Sequence, residues 1–209
     1  MKVLLLHAWP PDERMWEPQL DPLRADGFEP VAPRLYGRGS SIDGWAMQLL
    51  GEIEGPFVVV GASMGGYCAL ALARRAPERV VGLVLVGTRA GADSEERRRF
   101  RDEMAASLRS DGVPEELETE VAAEELAGAQ EAMRDRPDLS GVAASFGGPL
   151  LVCVGEADEI VSTEEARAIA DSALDGSLEV FEGAGHLLSI EQPERFNAVL
   201  VDFLARWRT

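Results

Sequence analysis

Residues 57–76 read FVVVGASMGGYCALALARRA. The stretch opens on the β-branched run Val58-Val59-Val60, turns through Gly61-Ala62-Ser63-Met64-Gly65, and continues as a helical run from Gly66. β-Branched residues suit a buried strand, and the alanine- and leucine-rich run after them suits a helix. The turn between them carries G-x-S-x-G, the pattern of a serine on a sharp strand-to-helix elbow. Such a serine has strained backbone angles, so the residues two before and two after it must be small. Gly61 and Gly65 meet that demand, and Gly66 and Ala69 let the helix lie close on the sheet. The helix N-terminus aims backbone N–H groups and a positive dipole at any anion formed beside Ser63.

Outward from the elbow, apolar runs at Lys2–Leu6, 28–32, Val80–Val86, 150–154 and 178–181 predict five more strands. Helical spacing appears at 16–25, with Leu20 and Leu23 inward, and at 42–53 through Ile42, Trp45, Leu49 and Ile53. It returns at 163–173 and 193–207. Six strands alternating with helices predict an α/β fold with a doubly wound, parallel, six-stranded sheet. The alternation breaks once. Residues 93–138 hold 15 acidic and 7 basic side chains and few β-branched ones. They read as two or three amphipathic helices, with Met104, Leu108, Leu117, Val121, Leu126 and Met133 facing inward. Residues 90–145 are thus expected to form a small helical lid within a single domain spanning 1–209.

A chain of 209 residues with 46% hydrophobic residues fits one soluble domain with a sizeable core. The net charge of −17 disfavours nucleic acid and anionic membrane surfaces as partners. Cys68 and Cys153 lie in apolar runs and read as buried hydrophobes; no metal-ligand spacing is present, so neither metal nor cofactor is expected. The apolar run near the N-terminus is too short for a signal peptide, and no segment approaches membrane-spanning length. A cytoplasmic monomer or small homo-oligomer acting on a small-molecule ester is the expectation.

A serine hydroxyl needs a base within hydrogen-bond reach. The chain has two histidines, His7 and His186. His186, in Gly183-Ala184-Gly185-His186, follows the last predicted strand on a glycine-flanked loop and is assigned as general base. The base needs a carboxylate to fix its tautomer. Asp158, just beyond the strand at 150–154, is preferred over its neighbours Glu156 and Glu159, which read as solvated loop. The oxyanion needs preorganised backbone donors. Met64 N–H follows the nucleophile, and Trp9 N–H, in the loop after the first strand, is the second choice. Pro10 and Pro11 stiffen that loop but donate nothing. His7 reads as a brace of the same loop. Trp9, Trp45 and Phe146 are aromatic candidates near the pocket mouth. Arg89 suits either a substrate carboxylate or an ion pair with the acidic lid.

These residues together resemble the α/β-hydrolase superfamily over nearly the whole chain, through LLLHAWP, GASMGGYCALALARRAPERVVGLVLVGTRAGAD, LLVCVGEADEIV and GAGHLLSIEQPERFNAVLVDFL. The flanking segments HAWPPDERMWEPQL and GTRAGADSEE are similar to those of bacterial members labelled esterases, enol-lactonases or cofactor-free haloperoxidases. The resemblance implies a triad of Ser63, Asp158 and His186 with an oxyanion hole at Trp9 and Met64. Three departures stand out. The sequence starts at the strand before the oxyanion loop, so the two usual N-terminal strands are not expected. The usual His-Gly is His7-Ala8, and the usual aspartate after the second strand is Arg34. Ser63 at the elbow argues against the dehalogenase and epoxide hydrolase chemistries, which use aspartate there. The expectation is a serine hydrolase cleaving esters of small to medium acyl groups through an acyl-enzyme. Enol-lactone or thioester hydrolysis, acyl transfer or lyase chemistry on the same residues stays open, as does a non-catalytic ligand-binding protein on this scaffold.

Overall fold

The structure, a computed structural model, describes residues 1–208. Six strands form one parallel sheet: β1 (Lys2–Leu6), β2 (Glu29–Val31), β3 (Phe57–Ala62), β4 (Val80–Val86), β5 (Leu150–Gly155) and β6 (Gly176–Phe181). Their spatial order is β2-β1-β3-β4-β5-β6. The chain runs from β1 outward to β2, then returns to the other side of β1 as β3. That reversal makes the carboxyl ends of β1 and β3 the switch point, where α/β sheets bind their ligands.

Side chains alternate across the pleat. Leu4, Leu6, Val59, Leu83, Leu85 and Val152 face α2 (Ile42–Glu52), α3 (Met64–Arg75) and α7 (Thr163–Ser172). Val3, Leu5, Val58, Val60, Val84 and Cys153 face α1 (Glu17–Ala25) and α9 (Pro193–Leu204). Both faces are covered, which is why the inner strands read as continuous apolar runs.

The acidic segment between β4 and β5 forms α4 (Glu95–Asp111), a 3-10 turn at Glu115–Leu117, α5 (Ala123–Arg134) and α6 (Ser140–Ser145). Here α4 and α5 pack on each other, whereas α6 lies against α3 and α7. Leu108, Val121, Leu126 and Met133 are buried and continuous with the core; Met104 and Leu117 are partly buried against it. A buried polar tie fastens this segment. Asp93 pairs with Arg101 of α4 and with Arg136, 2.8 Å away, and Arg101 also donates to Gln130 of α5 at 2.9 Å. The Arg136 guanidinium lies 3.8 Å over the ring of Tyr67 on α3.

Several boundaries differ from the sequence expectation. The elbow helix begins at Met64, not Gly66, with Ser63 as its N-cap. Residues 13–16 form a 3-10 turn before α1, and the closing helix ends at Leu204 before another 3-10 turn. The short helices α6 and α8 (Leu188–Glu191) carry too few turns to show a helical period and were not anticipated. Among the described residues no helix is long and apolar enough to cross a membrane.

Candidate active site

Ser63 sits between β3 and α3 with φ 48° and ψ −109°, a conformation that L-residues avoid. The surroundings hold it there. Its N–H donates to Val86 O of β4 at 2.8 Å, and its carbonyl accepts from Thr88 Oγ1 at 2.7 Å. A Cβ on Gly65 would run into the Leu6 and His7 carbonyls, and one on Gly61 into the Gly65 backbone. The elbow therefore closes only with glycine on both sides.

His186 Nε2 lies 2.9 Å from Ser63 Oγ, and His186 Nδ1 lies 2.8 Å from Asp158 Oδ2. The Asp158 side chain has no exposed surface. Burial alone would raise its pKa, but hydrogen bonds from His186, Val161 N–H and Ile160 N–H hold it below the ordinary carboxylate value. An ionised Asp158 accepts a hydrogen bond from Nδ1–H, which leaves Nε2 free to accept one from the serine hydroxyl; the tautomer is assigned from these partners. Ser63 comes from β3, Asp158 from the turn after β5 and His186 from the loop after β6, so the carboxyl ends of the strands gather all three.

The histidine loop has a brace that motif reading missed. Glu191 on α8 accepts Gly185 N–H at 2.5 Å and Leu187 N–H at 2.9 Å, so its two oxygens clamp the residues on either side of His186. Glu156, read as solvated, accepts Gly183 N–H at 3.1 Å. The signal for Glu191 was its place five residues after the histidine, meaningful only once α8 turns the chain back.

Met64 heads α3, where its N–H has no intrahelical acceptor and lies at the positive end of the helix dipole. Trp9 follows β1 at the same carboxyl end of the sheet, joined to Pro10 by a cis peptide bond. Its indole N–H donates to Leu126 O of α5 at 3.3 Å. His7, fully buried, braces this loop: Nδ1 contacts Ala8 O at 2.8 Å and Nε2 accepts Leu35 N–H at 2.9 Å. Burial pushes its pKa down to about 4, so the ring is neutral and both hydrogen bonds persist.

The proposed pocket residues fare differently. Trp45 is not at the mouth: it is buried in the core of the α2–α3 layer, its indole N–H on Gly39 O at 2.7 Å. Phe146 is buried at the opposite end of the sheet, against Gly148, which itself lies beside Val81 O of β4, because the chain returns to the amino ends of the strands before β5. Arg89 pairs with Glu165 of α7 at 2.8 Å and reaches Ile160 O, so its partner is not on the acidic segment. It lines a cavity of about 620 Å³ with Ser94, Arg97 and Phe100.

Residues 3–199 match the model of the alpha/beta hydrolase family. The chain is similar to the pimeloyl-[acyl-carrier protein] methyl ester esterase of Aromatoleum aromaticum, 39% identical over 41% of this chain and 36% of that protein. It is 30% identical to the dihydrolipoyllysine-residue acetyltransferase component of the acetoin cleaving system of Cupriavidus necator, over 95% of this chain and 62% of that one. The chain thus spans less than two thirds of these two relatives. Among solved structures, a thermophilic esterase from Thermogutta terrifontis superposes with a TM-score of 0.88 at 30% identity, covering 100% of this chain and 91% of that one. A family model that matches nearly the whole of the chain, on a sheet of this order with the serine elbow at its switch point, places the chain in the alpha/beta hydrolase family.

Proposed function

We propose that the protein is a serine hydrolase that cleaves carboxylic esters of small to medium acyl groups through an acyl-enzyme. The observation that carries this reading is the unbroken hydrogen-bond chain Ser63–His186–Asp158 at 2.9 and 2.8 Å. Ser63 Oγ attacks the ester carbonyl while His186 Nε2 takes its proton; Asp158 stabilises the imidazolium. The oxyanion is received by the N–H groups of Met64 and Trp9. His186 returns the proton to the leaving alcohol, and a water activated by the same nitrogen hydrolyses the acyl-enzyme. No cofactor enters the scheme. Residues 90–145 supply the lid, with Leu126 of α5 and Thr119 before it meeting the loop that carries Trp9. Relatives described as esterases support the ester assignment.

The test is hydrolysis of p-nitrophenyl esters of graded acyl length by the purified chain and by Ser63→Ala. Turnover that is abolished in the variant, with a phosphonate adduct on Ser63 of the unaltered protein, is the expected result. Equal turnover by both proteins overturns the reading.

A further inference from the structure

The loop that carries Trp9 is held from two sides by elements that are themselves charged. Tyr36 Oη lies 3.0 Å from both the Pro10 and Pro11 carbonyls, and Thr119 Oγ1 donates to Pro10 O at 3.3 Å. Carboxylates then face one another across the contact. Asp12 and Glu13 come from the loop, and Glu120 and Glu125 come from the acidic segment. Arg14 takes Asp12 and Glu120, each at 2.8 Å. Arg34 sits in the remaining gap: 2.8 Å from Glu125, 3.5 Å from Glu13 and 3.7 Å from Asp12, with its guanidinium 5.5 Å over the Tyr36 ring.

We propose that Arg34 is a positioning residue: it binds α5 to the loop bearing Trp9 and thereby sets where the Trp9 N–H meets the oxyanion. The proposal rests on the ester-hydrolase reading above. An ordinary surface ion pair contributes little because water competes for both charges. Arg34 differs in bridging two elements of like sign. Without it, Glu125 faces Glu13 uncompensated, and α5, which also holds the Trp9 indole through Leu126 O, is pushed from the loop. Glu13 Oε2 is buried with no hydrogen-bond partner, and among the described residues Arg34 is the one cation within ion-pair distance of it, at 3.5 Å. A lysine in place of Arg34 keeps the charge but loses the fork that spans two carboxylates.

The experiment follows phosphonylation of Ser63 by a p-nitrophenyl phosphonate, with released p-nitrophenol giving the rate and mass spectrometry the site. This reaction uses both the nucleophile and the oxyanion donors. Arg34→Ala should react about tenfold slower at low salt, since displacing a positioned group by up to an ångström costs as much as a hundredfold. In ester hydrolysis the loss should fall on kcat, with KM moving less than about twofold. Arg34→Lys should recover part of the rate. Raising ionic strength from about 0.01 M to about 0.5 M should also restore Arg34→Ala, as screening shortens from ~30 Å to a few ångströms. Glu125→Gln should slow the reaction about threefold and be non-additive with Arg34→Ala. Failure to label Ser63 in the unaltered protein overturns the hydrolase reading itself. Normal labelling of that protein with an equal, equally salt-dependent rate in Arg34→Ala overturns the positioning role. If Arg34→Ala does not fold, an unchanged rate in Glu125→Gln overturns it instead.

Discussion

Asp158 Oδ1 accepts the Ile160 and Val161 N–H groups while Oδ2 faces His186, so an asparagine that keeps Oδ1 in place alters chiefly the contact with the imidazole. On the proposed mechanism, Asp158→Asn leaves the packing in place but no longer dictates the tautomer, and kcat should fall by about 10³–10⁴. Ser63→Ala and His186→Ala should lose as much or more, and any pair should lose little beyond the worse single change, because the three act as a unit. Rates of p-nitrophenyl ester hydrolysis check this directly. His7 makes a different prediction, about stability. Its folded pKa of about 4 lies below the ordinary 6.5, so the unfolded chain binds the proton first as pH falls. Stability is therefore unaffected above pH 6.5 and is lost as pH drops from there to 4, by about 3 kcal/mol in all. Urea unfolding at pH 7 and pH 4.5 should show that loss in the unaltered protein, and a smaller one in His7→Asn. Both histidines stood out in the sequence by scarcity, and only position in the fold separates their duties. The residue after β1 is sealed under Leu35 and Tyr36, whereas the one after β6 meets the elbow.

Between β4 and β5 the energetics are those of a buried charge cluster. Asp93 answers two arginines, Arg101 and Arg136, and its side chain is 1% exposed. Asp93→Asn leaves both cations without a counter-charge and should cost about 3–5 kcal/mol, read as a lower denaturant midpoint. The elements themselves were legible where a local rule applied. Apolar runs marked the strands, and Gly61 and Gly65 marked the elbow. What failed were side-chain destinations across distant elements. Trp45 and Phe146 are aromatic residues beside loops, and nothing local distinguishes a pocket wall from core packing. The partner of Arg89 lies 76 positions further on, in α7. Glu191 clamps the His186 loop through a four-residue helix, whose turn no hydrophobic period announces.

For the molecule as a whole, the proposed lid at residues 90–145 would set the reach of the acyl pocket. Each added methylene of an acyl chain contributes ~0.8 kcal/mol only while it is buried. Past the lid that gain stops and the ordering cost continues. kcat/KM should climb from acetate to butyrate and decline beyond about eight carbons, measured with acetate, butyrate, octanoate and laurate esters below their micelle limits. A steady rise through laurate would refute the small pocket and leave the elbow chemistry intact. The elbow also has a cost borne by the entire fold. A side chain held at φ 48° stores about 1–3 kcal/mol, and glycine alone occupies that region freely. Ser63→Gly should therefore melt at a higher temperature than the parent while losing all turnover, whereas Ser63→Ala, which keeps its Cβ, should gain far less. On the proposed mechanism, the substitution that relaxes the backbone most at this position is also one that removes the nucleophile, so heat resistance and turnover would pull residue 63 in opposite directions.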